Sequence, residues 1–305
     1  MLRFILRRLA QTIPVLLVIY TLTFFMLRLA PGGPFSKERN VTPEVMRALN
    51  ERYGFDKPLW QQYFIELSKA CKGDLGTSFK IPGQTVNELI ATGFPVSLEL
   101  GAYALAIALT IGMIAGVIAA LRRNTALDYV PMSLAMAGIC LPTFVMGPLL
   151  VLAFALTLHW FDATGWDTPS NRVLPALTLG LYYSAYVARL TRGGMLEILN
   201  QDFIRTARSK GASEARILFK HSLKGGLLPV ISFLGPAAAG LITGSFVVET
   251  IFAIPGLGQF FVKSALNRDY TMVLGTVVFY AVLIVMFNLV VDILQAMLNP
   301  KVRLE

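Results

Sequence analysis

Charge is scarce in this chain. Aspartate, glutamate, lysine and arginine make up 15% of its 305 residues, against 55% hydrophobic residues. So little charged surface cannot cover a water-soluble globule of that length, and the sequence reads as an integral membrane protein. Histidine occurs only as His159, at the outer end of an apolar run, and His221, in a polar stretch, which argues against a zinc hydrolase. The two cysteines are poorly placed to pair, Cys71 lying outside the apolar runs and Cys140 inside one, and neither has metal-ligand spacing around it. No Gly-Lys dipeptide occurs, which excludes a phosphate-cradling P-loop, and no nucleophile with a convergent base is found. The chain is therefore expected to be no enzyme and to carry no metal or cofactor.

Long apolar runs are abundant. Six of them, at about 9–29, 95–121, 130–158, 173–192, 227–252 and 272–297, are long enough for the roughly 20 residues that cross a hydrocarbon core. The first follows Arg3, Arg7 and Arg8 as a signal peptide would. Its apolar stretch is too long for one, however, and Pro31-Gly32-Gly33-Pro34 follows without a small-residue cleavage pattern, so it reads as an uncleaved anchor. The net charge of +9 fits membrane orientation better than nucleic acid, because the cations cluster in short connections between apolar runs. The amino terminus, Arg122 and Arg123, the stretch with Arg205, Arg208, Lys210, Arg216, Lys220 and Lys224, and the tail with Lys301 and Arg303 fall on one side, which is expected to be cytoplasmic. The expected fold is all-α with six spans and both termini inside. It divides into residues 1–30, an extracytoplasmic helical insert at 31–94 and a membrane core at 95–305.

In the insert, Thr42-Pro43-Glu44 predicts a helix start and Gly54 its stop, with a second helix from Leu59 to Ala70. These helices form either a cap on the outer span ends or a docking face for an extracytoplasmic partner. On the cytoplasmic side, residues 201–225 make a basic, amphipathic element. Phe203, Ile204 and Ala207 share one helical face; Gly211 ends that helix and Ser213 opens another carrying Ile217, Leu218 and Leu223. Such an elbow can enter a groove on a partner and pass on a rigid-body motion, or it can lie on anionic headgroups.

Glu99, Glu249 and Asp292 lie near span ends, where interfacial water or snorkelling can satisfy them. Glu249 precedes a proline- and glycine-rich re-entry containing Pro255, Gly256 and Gly258; the group is expected to have a structural or gating role, with Glu249 holding the loop through backbone hydrogen bonds. Small residues recur in three spans, among them Gly112, Gly116, Gly138, Gly240 and Gly244. With Pro142, Pro148 and Pro236 they suit close, bent helix packing.

Arg205-Thr206-Ala207, three residues and then Gly211 resemble the EAA loop of ABC importer permeases. The opening MLRFILRRLAQTIPVLLVI, then APGGPF, KGDLGTSF, VETIFAIPGLGQ, NRDY and the closing NPKVR are, in order, similar to the oligopeptide/dipeptide/nickel permease family. The usual Glu-Ala-Ala reads Arg-Thr-Ala here, and the proline expected at the loop's end is displaced to Pro229. The resemblance implies a permease that pairs with a second, homologous permease in the lipid membrane. Two cytoplasmic ABC ATPases would power it and an extracytoplasmic substrate-binding protein would supply it, with no nucleic acid involved. It also implies that Arg205, Thr206, Ala207, Gly211 and Ala212 couple to the ATPases. Oligopeptides or dipeptides are the expected cargo. A family member for nickel, glutathione or another small solute, and an ion-coupled secondary transporter, are the alternatives.

Overall fold

The computed structural model describes residues 2–31, 33–34, 43–81, 83–243 and 245–298. The expectations for Gly32, Thr42, Gly244, Lys301, Arg303 and the closing NPKVR lie outside these residues.

The long first helix, α1 (Leu2–Leu29), turns Ile13, Val18, Leu22 and Met26 outward and packs its other side on α14 (Tyr270–Leu298), the last helix. That outward face is apolar and suits lipid. The insert then folds as α2 (Pro43–Tyr53) and α3 (Leu59–Cys71), close to the bounds expected from sequence, with Gly54 left-handed at φ 71° between them. It is tied to the membrane helices from below. Arg28 donates to Gln62 Oε1 at 2.9 Å and pairs with Glu66, its guanidinium lies 3.7 Å from the centroid of Phe24, and Tyr63 packs against Phe24 and Phe25.

Helix α4 (Val86–Leu121) begins well before residue 95, because Thr85 and Glu88 form a reciprocal capping box at its start. It lies along α7 (Pro169–Leu199), the central helix, at very short range. A Cβ at Gly112 would stand 2.6 Å from Val187 Cβ and 2.7 Å from the Ser184 carbonyl oxygen, so only glycine admits this approach.

The run expected to be one span at 130–158 is broken. Helix α5 (Ala126–Cys140) and α6 (Thr143–Leu150), which continues as a π-helical stretch Val151–Thr157, meet at 109° around Leu141-Pro142. Proline has no N–H for the helix ladder and forces the preceding residue out of the α region, so a bend follows. The element at 201–226 comprises α8 (Asp202–Ser209), then α9 (Glu214–Arg216) running through π-helical Ile217–Ser222 into α10 (Leu223–Gly226). Helix α11 (Leu228–Thr243) and the short α12 (Phe246–Ile251) follow. The connection from α12 to α14 contains a further helix, α13 (Leu257–Asn267), with Arg268 left-handed at its end.

Among the described residues four helical stretches, Ala10–Leu29, Val86–Leu121, Leu228–Ile251 and Tyr270–Gln295, are long and apolar enough to cross a membrane, and the bent α5–α6 pair makes a fifth if it is one span. Helix α7, expected to hold the fourth span, is not among them; it carries Tyr182, Tyr183, Tyr186, Arg189 and Arg192.

Candidate functional site

The elbow at 201–226 is anchored by two side chains. Ile204 of α8 and Ile217 at the second bend are both fully buried. Phe203, which sequence places on the same apolar face as Ile204, is instead exposed, as is Phe219. Two aromatic side chains therefore stand out from a surface rich in cations. The expected grouping of Phe203 with Ile204 fails because adjacent residues on a helix lie about 100° apart, and a helix of two turns buries only a narrow stripe.

Helix α8 ends in a left-handed glycine cap. Gly211 has φ 79°; its N–H donates to the Arg208 carbonyl at 2.9 Å and the Ala212 N–H to the Ala207 carbonyl at 3.1 Å. Glycine takes this conformation without the penalty a side chain incurs. Ala207, Gly211 and Ala212 thus set the turn, with Ala207 and Ala212 half-buried, while Arg205 and Thr206 are exposed. No atom lies within 4 Å of where a Gly211 side chain would begin, so that side of the turn is open. Across the bend, Arg208 donates to both Glu214 oxygens at 2.8 and 3.1 Å and holds that carboxyl below the usual glutamate range. Ser213 caps the next helix, accepting from the Arg216 N–H. The far end of the elbow is fixed to α7, where a Cβ at Gly194 would overlap the Gly226 carbonyl.

A second cluster surrounds Glu249. Sequence places this residue near a span end, satisfied by interfacial water or snorkelling or holding the loop through backbone hydrogen bonds; the structure buries it completely and away from water. Its Oε1 accepts from Ser97 Oγ at 2.7 Å and Ser245 Oγ at 2.6 Å; its Oε2 accepts from the Gln259 N–H at 3.1 Å. The Leu257 N–H donates to Ser97 Oγ at 2.9 Å. Leu257 and Gln259 belong to the first turn of α13, so the carboxylate faces a helix N-terminus, whose free N–H groups and dipole favour negative charge. Serine hydroxyls and that helix end satisfy the carboxylate without a cation. Gly256 and Gly258 are buried against it: a Cβ at Gly258 would lie 2.6 Å from Phe246 Cα and 2.9 Å from Glu249 Oε2. Pro255 stands exposed at the tip, and the Ile254 N–H donates to the Glu249 carbonyl at 2.8 Å.

The other acidic residues are also partnered. Glu99 pairs with Arg172 at 2.6 Å and Asp292 with Arg8 at 3.0 Å. Two sites carried no signal in the sequence. Asp128 accepts from Arg192 at 2.6 and 2.8 Å, joining α5 to α7, and Asp269 caps α14 while receiving Ser78 Oγ and the Phe79 N–H. Among the described residues no group of three or more His, Cys, Asp or Glu side chains is arranged for a metal ion, and Cys71 and Cys140 are free.

With this geometry established, comparison with known proteins gives consistent results. Residues 108–304 match the family described as binding-protein-dependent transport system inner membrane component, and residues 1–101 match its N-terminal counterpart. The oligopeptide transport system permease protein OppB of Haemophilus influenzae is 48% identical over 99% of this chain and 100% of its own length. That of Escherichia coli K12 is 50% identical over the same shares. The dipeptide transport system permease protein DppB of Bacillus subtilis is 45% identical over 100% of this chain and 99% of its own. Among solved structures, an inward-facing MetNI methionine ABC transporter aligns with TM-score 0.60 and 18% identity over 69% of this chain and 96% of its own, which shows a shared fold. The chain belongs to the family of binding-protein-dependent transport system inner membrane components.

Proposed function

We propose that this chain is a permease subunit of an ATP-driven importer and that, with a second homologous permease, it forms the membrane pathway for oligopeptides or dipeptides. The observation that carries this reading is the elbow, an anchored turn whose cation-rich outer surface exposes Phe203, Arg205, Thr206 and Phe219. Full-length similarity to oligopeptide and dipeptide permeases supports the cargo class. In this reading the chain crosses the membrane six times with both termini cytoplasmic. The α5–α6 pair counts as one broken span, and α7 is a span whose polar side chains face protein or water.

Two cytoplasmic ATPases supply the energy. Their closure on ATP pushes the elbow, and because Ile204, Ile217 and the Gly194–Gly226 contact leave no slack, the push passes to α7 and α11 as a rigid-body motion. The insert of α2 and α3 lies on the outer side, where an extracytoplasmic binding protein delivers cargo. Affinity purification of the tagged chain from its native membrane, followed by mass spectrometry and ATP-dependent uptake of a labelled peptide in proteoliposomes, tests the reading. Recovery with one similar permease and P-loop ATPases is the expected result, and a homo-oligomer free of ATPases overturns it.

A further inference from the structure

One stripe of α7 runs Asn171, Pro175, Thr178, Tyr182, Tyr186, Arg189, Gly193 and Glu197, steps of three and four that keep every residue on one helical face. Its first half is sealed. Asn171, Pro175 and Thr178 are buried, and Gly147 of α6 closes over Thr178 beside Phe252, which is itself fully buried. Its second half is open. Tyr182 and Tyr186 are half-buried, Arg189, Gly193 and Glu197 are exposed, and a Cβ at Gly193 would meet nothing within 4 Å.

The open half is a poor surface for lipid. Arg189 reaches the Met136 thioether at 3.6 Å and has no carboxylate partner among the described residues, and an arginine inside a span faces water or protein rather than hydrocarbon. Above it, Phe233 of α11 stacks on Tyr186 at 5.7 Å between centroids, and the Tyr182 and Tyr186 hydroxyls lie 3.3 Å apart. Two hydroxyls that share one hydrogen bond keep a donor to spare.

We propose that Tyr182, Tyr186, Arg189 and Phe233 are the wall of a vestibule that is closed toward the outer side and open toward the elbow, and that they touch the peptide in transit. Aromatic faces accept side chains of any kind, the spare tyrosine hydroxyl donates to a main-chain carbonyl, and Arg189 takes the C-terminal carboxylate. The inference rests on the peptide-importer reading and adds to it the residues that meet the cargo.

The test uses the assembled transporter with Cys71→Ser and Cys140→Ser as background. Single cysteines at Tyr182, Tyr186, Arg189 and Gly193 are exposed to a charged, membrane-impermeant thiosulfonate from the cytoplasmic side, with Met286→Cys on the outward face of α14 as the lipid-facing control. Labelling at the four α7 positions and none at 286 is expected. Silence at all four overturns the vestibule. Separately, Arg189→Gln is expected to reduce about tenfold the ratio of uptake rates between a free-acid tripeptide and its C-terminal amide, with the same binding protein present throughout. An unchanged ratio in complexes that assemble and hydrolyse ATP removes Arg189 from the carboxylate role. If the unsubstituted complex imports no peptide at all, the importer reading fails, whereas import with silent cysteines overturns the vestibule alone.

Discussion

Ser97 Oγ donates to Glu249 Oε1 at 2.7 Å across 152 residues of sequence, and the same hydroxyl accepts from the Leu257 N–H at 2.9 Å, so that α4 holds both α12 and the start of α13. Removing the acceptor leaves the Gln259 N–H without its partner, at about 1–3 kcal/mol, and leaves the Ser97 and Ser245 hydroxyls only the carbonyls of their own helical turns, Gly93 at 3.5 Å and Ile242 at 3.1 Å. Glu249→Ala is expected to lower the thermal stability of the assembled complex strongly. Glu249→Gln keeps the shape and one acceptor and is expected to lower it less; equal melting temperatures for the two variants would show that the hydrogen bonds at this site contribute nothing.

Gly211 separates conformation from contact. An alanine there meets no neighbour in the chain but must hold φ near 79°, at about 1–2 kcal/mol. Gly211→Ala is therefore expected to insert, assemble and transport at a reduced rate. Gly211→Glu adds bulk and charge on the open side of the turn and is expected to abolish ATP-driven uptake while the permeases still purify together. Wild-type uptake by the glutamate variant would remove this turn from the coupling surface.

The insert depends on Arg28, whose side chain is 4% exposed and pairs with Glu66 over the Phe24 ring. Arg28→Ala leaves a largely buried carboxylate alone, a loss of about 3–5 kcal/mol. Limited proteolysis of the purified complex is expected to cut between α2 and α3 in this variant and not in the unsubstituted protein. Arg28→Lys keeps the charge but not the forked geometry, and should fall between them.

In the elbow, hydrogen bonds from Arg208 lower the Glu214 pKa relative to a free glutamate. A depressed carboxylate pKa favours the folded turn above the ordinary glutamate range, and that contribution disappears as pH falls through the folded-state pKa. An NMR titration of carboxyl-labelled Glu214 is expected to show a midpoint below that of free glutamate, and Arg208→Gln is expected to move it up. Both side chains are solvent-exposed, so the complex should melt at the same temperature with or without this pair.

Local pattern made part of this architecture legible. The apolar runs marked most of the long helices, Gly54 and Pro43 marked the ends of α2, and the spacing from Ala207 to Gly211 marked the elbow's turn, because each is a signal within one or two helical turns. Long-range partners were not legible. Ser97 and Ser78 look like ordinary span or loop serines until Glu249 and Asp269 arrive from far along the chain. The break at Leu141-Pro142 was visible as a proline, but its size depends on what α6 packs against, namely α7 and α12. Helix α13 was masked by its glycine- and proline-rich approach. The stripe on α7 has the opposite character, since its spacing was present in the sequence but its meaning appears only once half of it is found buried and half open.

The capped turn at Gly211 also has a consequence for how such subunits can be exchanged. Three of the five residues proposed to couple, Ala207, Gly211 and Ala212, are used in bending the chain, which leaves Arg205 and Thr206, beside Phe203 and Phe219, as the lettering on a standard connector. Permeases that share the bend but differ in that lettering should fit the same socket geometrically and be sorted among motors by four side chains, so a change of motor would require a change at the rim and none in the hinge.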